Sequence, residues 1–87
     1  MEFKDTIEMM MSEDYKERFK AEYYQTKIRY ERLKKFNTKI EASMASRDYE
    51  KTPKHDCPYE MLRDQQRLMG EYLHILEVRA VIEGIDL

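Results

Sequence analysis

From about Glu13 onward, apolar positions recur at the alternating spacing of three and four that one face of an α-helix demands. Phe19, Tyr23, Thr26, Tyr30, Leu33, Asn37, Ile40 and Met44 form this stripe, with Tyr15, Ile28 and Phe36 widening it. The repeat is the heptad seam of helix-on-helix packing. No proline or glycine interrupts it before Pro53. The pattern therefore predicts a helix from about Glu13 to about Ala45, roughly 50 Å long at 1.5 Å per residue. Ser12 is placed to cap its start, with Glu13 and Asp14 in the first turn, where the helix dipole favours acids. Upstream, Phe3, Ile7, Met10 and Met11 fall on one side of a short helical segment over residues 1–11. That segment reads either as an arm lying over the remainder or as an extension outside the domain.

Residues 46–57 are polar and contain Pro53, so they read as the connection. A second helix is predicted from about Pro58, which suits a first helical position, to about Glu83. Cys57, with Glu60 behind it, and Asp56 compete as its cap. Gly84 and Ile85 read as a left-handed C-cap with its hydrophobic contact. This helix carries two apolar stripes. Leu62, Met69, Leu73, Leu76 and Ala80 form one; Met61, Leu68, Tyr72, Ile75 and Ile82 form the other. A helix with one neighbour needs one stripe. An antiparallel hairpin, residues 12–87, covers the first stripe, and a second chain is expected to cover the other in a homodimeric four-helix bundle or higher oligomer. Gly70 interrupts the helix interior, either for close approach of a neighbour or as a tolerated cost.

The fold class expected is all-α, in one domain. A chain of 87 residues buries too little surface to be comfortably stable alone, and disulfides, metal or oligomerisation are the usual remedies. Cys57 is the single cysteine, so no internal disulfide exists and a reducing, cytoplasmic setting is expected. Charged residues make up 39% of the chain, yet the net charge is only −2. Interleaved signs of this kind mark solvated helix faces, whereas a duplex-DNA binder shows a one-sided basic excess. Neither a membrane-spanning apolar run nor a signal-peptide pattern is present.

No catalytic constellation is found, and no cofactor is implied. His55, Cys57 and His74 lack a second pair at structural-zinc spacing, so no metal site is assigned. Carboxylates have basic residues three or four positions away, as Glu17 has Lys20 and Asp64 has Arg67, the pattern of surface ion pairs. The seven tyrosines are more informative. Tyr23, Tyr24 and Tyr30 stand among Lys27 and Lys34, joining aromatic faces for stacking to cations for phosphates. Arg63, Arg67, Gly70 and His74 share a face of the second helix as a further phosphate-facing strip. The plainer reading, which aromatic stripes at helical spacing favour, is that Tyr23 and Tyr30 are core and that Arg63 and Arg67 pair with acids. Thr26, Asn37, Gln65, Gln66 and Arg79 are polar on or beside the seams, as register-fixing residues or as the rim of a pocket.

Two stretches carry a resemblance. Lys16-Glu-Arg-Phe-Lys-Ala-Glu-Tyr-Tyr-Gln-Thr-Lys-Ile-Arg-Tyr-Glu-Arg-Leu-Lys-Lys35 is one. The other joins Cys57-Pro-Tyr-Glu-Met-Leu62 to Met69-Gly-Glu-Tyr-Leu-His-Ile-Leu-Glu-Val-Arg-Ala-Val-Ile-Glu-Gly-Ile85. From about residue 12 they resemble small helical proteins of crAss-like phages and of Firmicutes phages or prophages. The resemblance brings no catalytic residues with it. It implies a non-enzymatic accessory protein that counters antiviral defence in the host cytoplasm by binding. One target is a cyclic nucleotide or ADP-ribose-derived signal, sequestered at an oligomer interface. The alternative is a host defence protein, bound directly by a helical adaptor.

Overall fold

The computed structural model describes residues 1–87, and its regular structure is helical throughout. A 3-10 turn at Phe3–Thr6 leads into α1 (Ile7–Met10), and α2 spans Tyr15–Ser46. A second 3-10 turn covers Tyr49–Lys51, and α3 spans Tyr59–Glu83. The long helices run antiparallel in a rod of 49 × 25 × 18 Å.

Local chemistry sets each boundary. Asp14, not Ser12, caps α2: its carboxylate accepts from the Lys16 N–H at 2.9 Å. The Ser12 hydroxyl instead accepts from the Asp14 N–H at 3.0 Å, which orients the capping residue. At the other end Arg47 takes a left-handed conformation with φ 57°. The N–H groups of Arg47 and Asp48 then reach Met44 O and Ser43 O, a Schellman closure made without glycine. Gly84 closes α3 in the same way at φ 69°, with Ile85 N–H on Ala80 O at 2.8 Å. Ile85 is buried beside Ala80, as the motif's hydrophobic contact requires. The start of α3 differs from expectation. Pro58 is the cap residue, at φ −57° and ψ 144°, and neither Cys57 nor Asp56 provides a side-chain cap. The ring fixes only φ, and that φ serves extended and helical backbone alike. The Cys57 carbonyl is instead held 2.6 Å from His55 Nδ1.

The apolar core lies in the half of the hairpin remote from the connection. Phe19 and Tyr23 of α2 meet Leu73, Leu76, Ala80 and Ile85, with Tyr24 and Tyr30 packed against them. Burying a large apolar side chain contributes on the order of 1.5–3 kcal/mol. Only 11 of 87 residues are buried, so this core is thin. On α3 the stripe through Leu73, Leu76 and Ala80 is the covered one. The other stripe stays open in the single chain, with Leu68 and Ile75 each 55% exposed and Ile82 77% exposed.

The N-terminal segment folds back onto α2. Its buried anchor is Thr6, whose hydroxyl accepts from Gln25 Nε2 at 2.8 Å and donates to Phe3 O. The Arg29 guanidinium lies 5.2 Å from the Phe3 ring centre, and Ala21, one turn from Gln25, is buried. Ile7, Met10 and Met11, which the spacing groups with Phe3, are exposed. The 3-10 turn accounts for this, because its period of about three residues aligns Phe3 with Thr6 and Met9 instead.

Candidate functional site

Toward the connection the two long helices frame an open groove of about 1000 Å³. Pockets for small ligands run from about 300 to about 1,000 Å³. Tyr30, Lys34, Asn37 and Thr38 line it from α2; Arg63, Gln66, Arg67 and His74 line it from α3, with Tyr59 at its end. Five of the eight residues that the sequence nominates for ligand contact therefore meet here: Tyr30, Lys34, Arg63, Arg67 and His74.

Gly70 shapes the middle of the groove. A Cβ built on it would stand 3.1 Å from Tyr30 Cε1 and 3.4 Å from the Tyr30 hydroxyl. The neighbour that glycine admits is thus an aromatic ring laid across α3, half-buried and beside the groove cations. Asn37 forms the groove's buried polar floor. Its Nδ2 donates to Leu62 O at 3.1 Å and to Gln66 Oε1 at 3.0 Å, which ties α2 to the first turns of α3. Its Oδ1 is buried and accepts no hydrogen bond. A buried unsatisfied acceptor costs about 1–3 kcal/mol, which offsets what the two donated hydrogen bonds contribute.

The charges of the groove are unevenly satisfied. Arg67 pairs with Glu71 at 3.2 Å, so the Arg67–Asp64 pair expected from sequence is not made and Asp64 has no ionic partner. An (i, i+4) spacing serves Glu71 where (i, i+3) would have served Asp64, and only one is taken. Lys34 forms no ion pair, and Arg63 lies 5.9 Å over the Tyr59 ring without a carboxylate. His74 Nδ1 is 3.9 Å from Glu77, an ion pair only when the imidazole is protonated. Around Lys34 the residues 27–39 include Lys27, Arg29, Arg32, Lys35 and Lys39 against Glu31 alone. A local basic stretch is thereby embedded in a chain of net charge −2.

The remaining nominated residues lie elsewhere. Tyr23 is a core residue, 5% exposed, whose hydroxyl donates to Glu77 Oε2 at 2.6 Å. Burial and that carboxylate push its phenol up to about 12. Tyr24 packs edge-on against Tyr23 at 5.2 Å and, with Lys27, borders a separate small depression on α2. Of Met61, Leu68, Tyr72, Ile75 and Ile82, only Ile75 touches the groove; the others follow a different face of α3. The groove is consequently built within one chain.

Sequence reasoning missed a set of cross-helix clasps at the terminal end. Tyr15 donates to Glu83 Oε1 at 3.0 Å while accepting from Arg79 Nη2 at 2.7 Å, and Arg79 Nε reaches Glu83 at 3.1 Å. The Arg79 guanidinium also covers the Phe19 ring at 5.1 Å. Tyr72 donates to Glu22 in the opposite sense, from α3 to α2. The carboxylate hydrogen bonds, then burial, raise the phenols of Tyr15 and Tyr72. The signal available in sequence was only that each tyrosine sits at a stripe edge.

A family model described as Sequestin matches residues 13–82, which take in α2, all of α3 but its last residue and every groove residue named above. The chain belongs to the Sequestin family. No curated protein and no solved structure matches it.

Proposed function

We propose that this Sequestin-family chain is a non-enzymatic sponge that holds a nucleotide-type signal in the groove between α2 and α3. The carrying observation is the convergence of Tyr30, Lys34, Arg63, Arg67 and His74 there, with Lys34 and Arg63 free of acidic partners. An aromatic ring offers a stacking surface, and unpaired cations offer charge-assisted bonds to phosphate oxygens. The carboxylates of Glu41 and Glu71 suit ribose hydroxyls or the amino group of a base. Binding without turnover fits a site that offers contacts but no nucleophile–base pair. The family's name, which denotes sequestration, supports the same reading. With the resemblance to gut-phage proteins, it favours a phage accessory factor that removes a cyclic nucleotide or an ADP-ribose derivative from host antiviral signalling in the bacterial cytoplasm.

Native mass spectrometry of the purified chain against a panel of cyclic nucleotides and ADP-ribose derivatives tests the proposal. A discrete mass shift at micromolar ligand is expected, with the ligand recovered unaltered on denaturation. Absence of any shift across the panel refutes it.

A second reading is a helical adaptor that binds a host defence protein. The observation favouring it is the N-terminal arm, which leaves Ile7, Met10 and Met11 exposed together, and methionine-rich surfaces adapt to protein partners. It requires that replacing Met10 and Met11 by Ser abolish recovery of a specific host protein, and unchanged recovery refutes it.

A further inference from the structure

Met61, Leu68, Ile75 and Ile82 are spaced seven residues apart along α3, and all four are exposed in the single chain. Val78 and Val81 add apolar surface at the C-terminal end of the same region, and Tyr72 adds it at the centre. A strict seven-residue repeat on a helix is the seam of a left-handed coil with another helix. This seam is roughly 31 Å long at 1.5 Å per residue. Tyr72 is tied to α2 through Glu22, while the four residues of the repeat each stay more than half exposed within one chain.

The charged residues beside the seam determine what covers it. Asp64 sits between Met61 and Leu68 at the edge of a shallow apolar depression and has no ionic partner. Arg79 sits between Ile75 and Ile82, held in place by Glu83, Tyr15 and Phe19 but half exposed. Two α3 helices laid parallel and in register would oppose Asp64 to Asp64, Glu71 to Glu71 and Arg79 to Arg79. Laid antiparallel about a two-fold axis between Glu71 and Tyr72, they oppose Met61 to Ile82 and Leu68 to Ile75. The same register sets Asp64 against the partner subunit's Arg79 and Gln65 against the partner subunit's Val78. Every layer in that arrangement is apolar against apolar or acid against base, apart from neutral Gln65 and Tyr72. A self-complementary strip of this kind is what an isologous contact requires.

We infer that the open face of α3 is closed by a second copy of this chain, antiparallel, with Leu68 packed against the partner subunit's Ile75 and Asp64 paired with the partner subunit's Arg79. The two grooves then lie on separate outer sides of the dimer, giving two ligand sites per assembly. The seam borders the groove at Glu71 and Ile75, and the inference does not rest on the nature of the ligand.

Sedimentation equilibrium of the full chain gives the first reading: twice the chain mass is expected, and a monomer at high micromolar concentration overturns the inference. Leu68→Glu combined with Ile75→Glu is expected to return the monomer mass with helicity by circular dichroism unchanged. A dimer that survives the double substitution places the contact elsewhere and overturns it. Orientation is read by oxidative cross-linking in a Cys57→Ser background. Chains carrying Leu68→Cys mixed with chains carrying Ile75→Cys are expected to form the mixed disulfide, while either alone stays reduced. Disulfides formed by each variant with itself would establish the parallel arrangement and overturn the register.

Discussion

The two ends of the hairpin solve opposite problems with the same residue types. At the terminal end Tyr15, Tyr23 and Tyr72 each donate a hydroxyl across the helix pair to a glutamate, over a core of Phe19, Leu73, Leu76 and Ala80. At the end near the connection Tyr30 lies along the groove over Gly70, Lys34 and Arg63 lack carboxylates, and the Asn37 Oδ1 accepts nothing. One end is satisfied internally and holds the helices together. The other leaves cationic donors and a ring face unspent and keeps a buried acceptor unpaired, at some cost to stability. A hairpin stabilised throughout by clasps would have nothing left with which to bind; one built throughout like the groove would be weakly held. The division of labour along the rod resolves this.

The comparison can be broken from either side. The largest expected effect is at the groove. Lys34→Glu with Arg63→Glu should weaken binding of the ligand identified by mass spectrometry by on the order of 100-fold or more, from about 1.5–3 kcal/mol per charge-assisted contact. Calorimetric titration measures this, and the thermal midpoint should move little, because neither side chain makes an ion pair in the hairpin. Equal losses of stability and binding would erase the distinction between the ends. The reverse substitution, Tyr23→Phe, should cost about 1–2 kcal/mol of stability by leaving Glu77 without its buried donor. Urea unfolding measures that, and ligand affinity should be unchanged.

Alkaline pH sharpens the contrast further. Tyr23 ionises at about 12 in the folded chain against an ordinary 10.0, and Tyr15 and Tyr72 are raised as well. The folded state therefore holds phenolic protons more tightly than the unfolded state. The stabilisation is complete below pH 10 and is lost as pH rises through 12. Helicity followed together with tyrosinate absorbance should show the late-titrating tyrosines ionising with unfolding; ionisation of all seven near the ordinary value would contradict the clasps. The smallest effect is expected from Gly70→Ala. The helix gains up to about 1 kcal/mol in propensity, and the methyl group at 3.1 Å pushes on the Tyr30 ring. Stability should stay within about 0.5 kcal/mol of the parent, as expected where two small terms oppose, while ligand affinity falls because the ring is displaced.

Much of the molecule was legible from spacing. The two long helices, the polar connection, the Gly84–Ile85 closure and the covered stripe through Leu73, Leu76 and Ala80 all follow from residues within a few positions of each other. The cap at Asp14 and the start after Pro58 were displaced by one or two residues, since neighbouring side chains compete for the same N–H groups. In the arm, spacing groups Ile7, Met10 and Met11 with Phe3, and the 3-10 turn separates them by shifting the packed face. At the groove, spacing places Tyr30 and Lys34 in one set and Arg63, Arg67 and His74 in another, and only the pairing of the helices brings the two together; the same spacing groups Tyr23 and Tyr24 with Tyr30, although they lie outside the groove.

The sequence by itself determined which face each residue occupies, because a helix turns by a constant angle per residue and local composition marks where it starts and stops. It also determined that α3 carries more apolar surface than one neighbour covers. Only the tertiary structure decided which residues of α2 stand opposite which residues of α3. That register is a joint property of the connection, the core contacts of Phe19 and Tyr23 with Leu73, Leu76 and Ala80, and the Asn37 tie to Leu62. It places Tyr23 against Glu77 and Tyr30 against Gly70, so that two tyrosines on one stripe become a clasp and the edge of a groove.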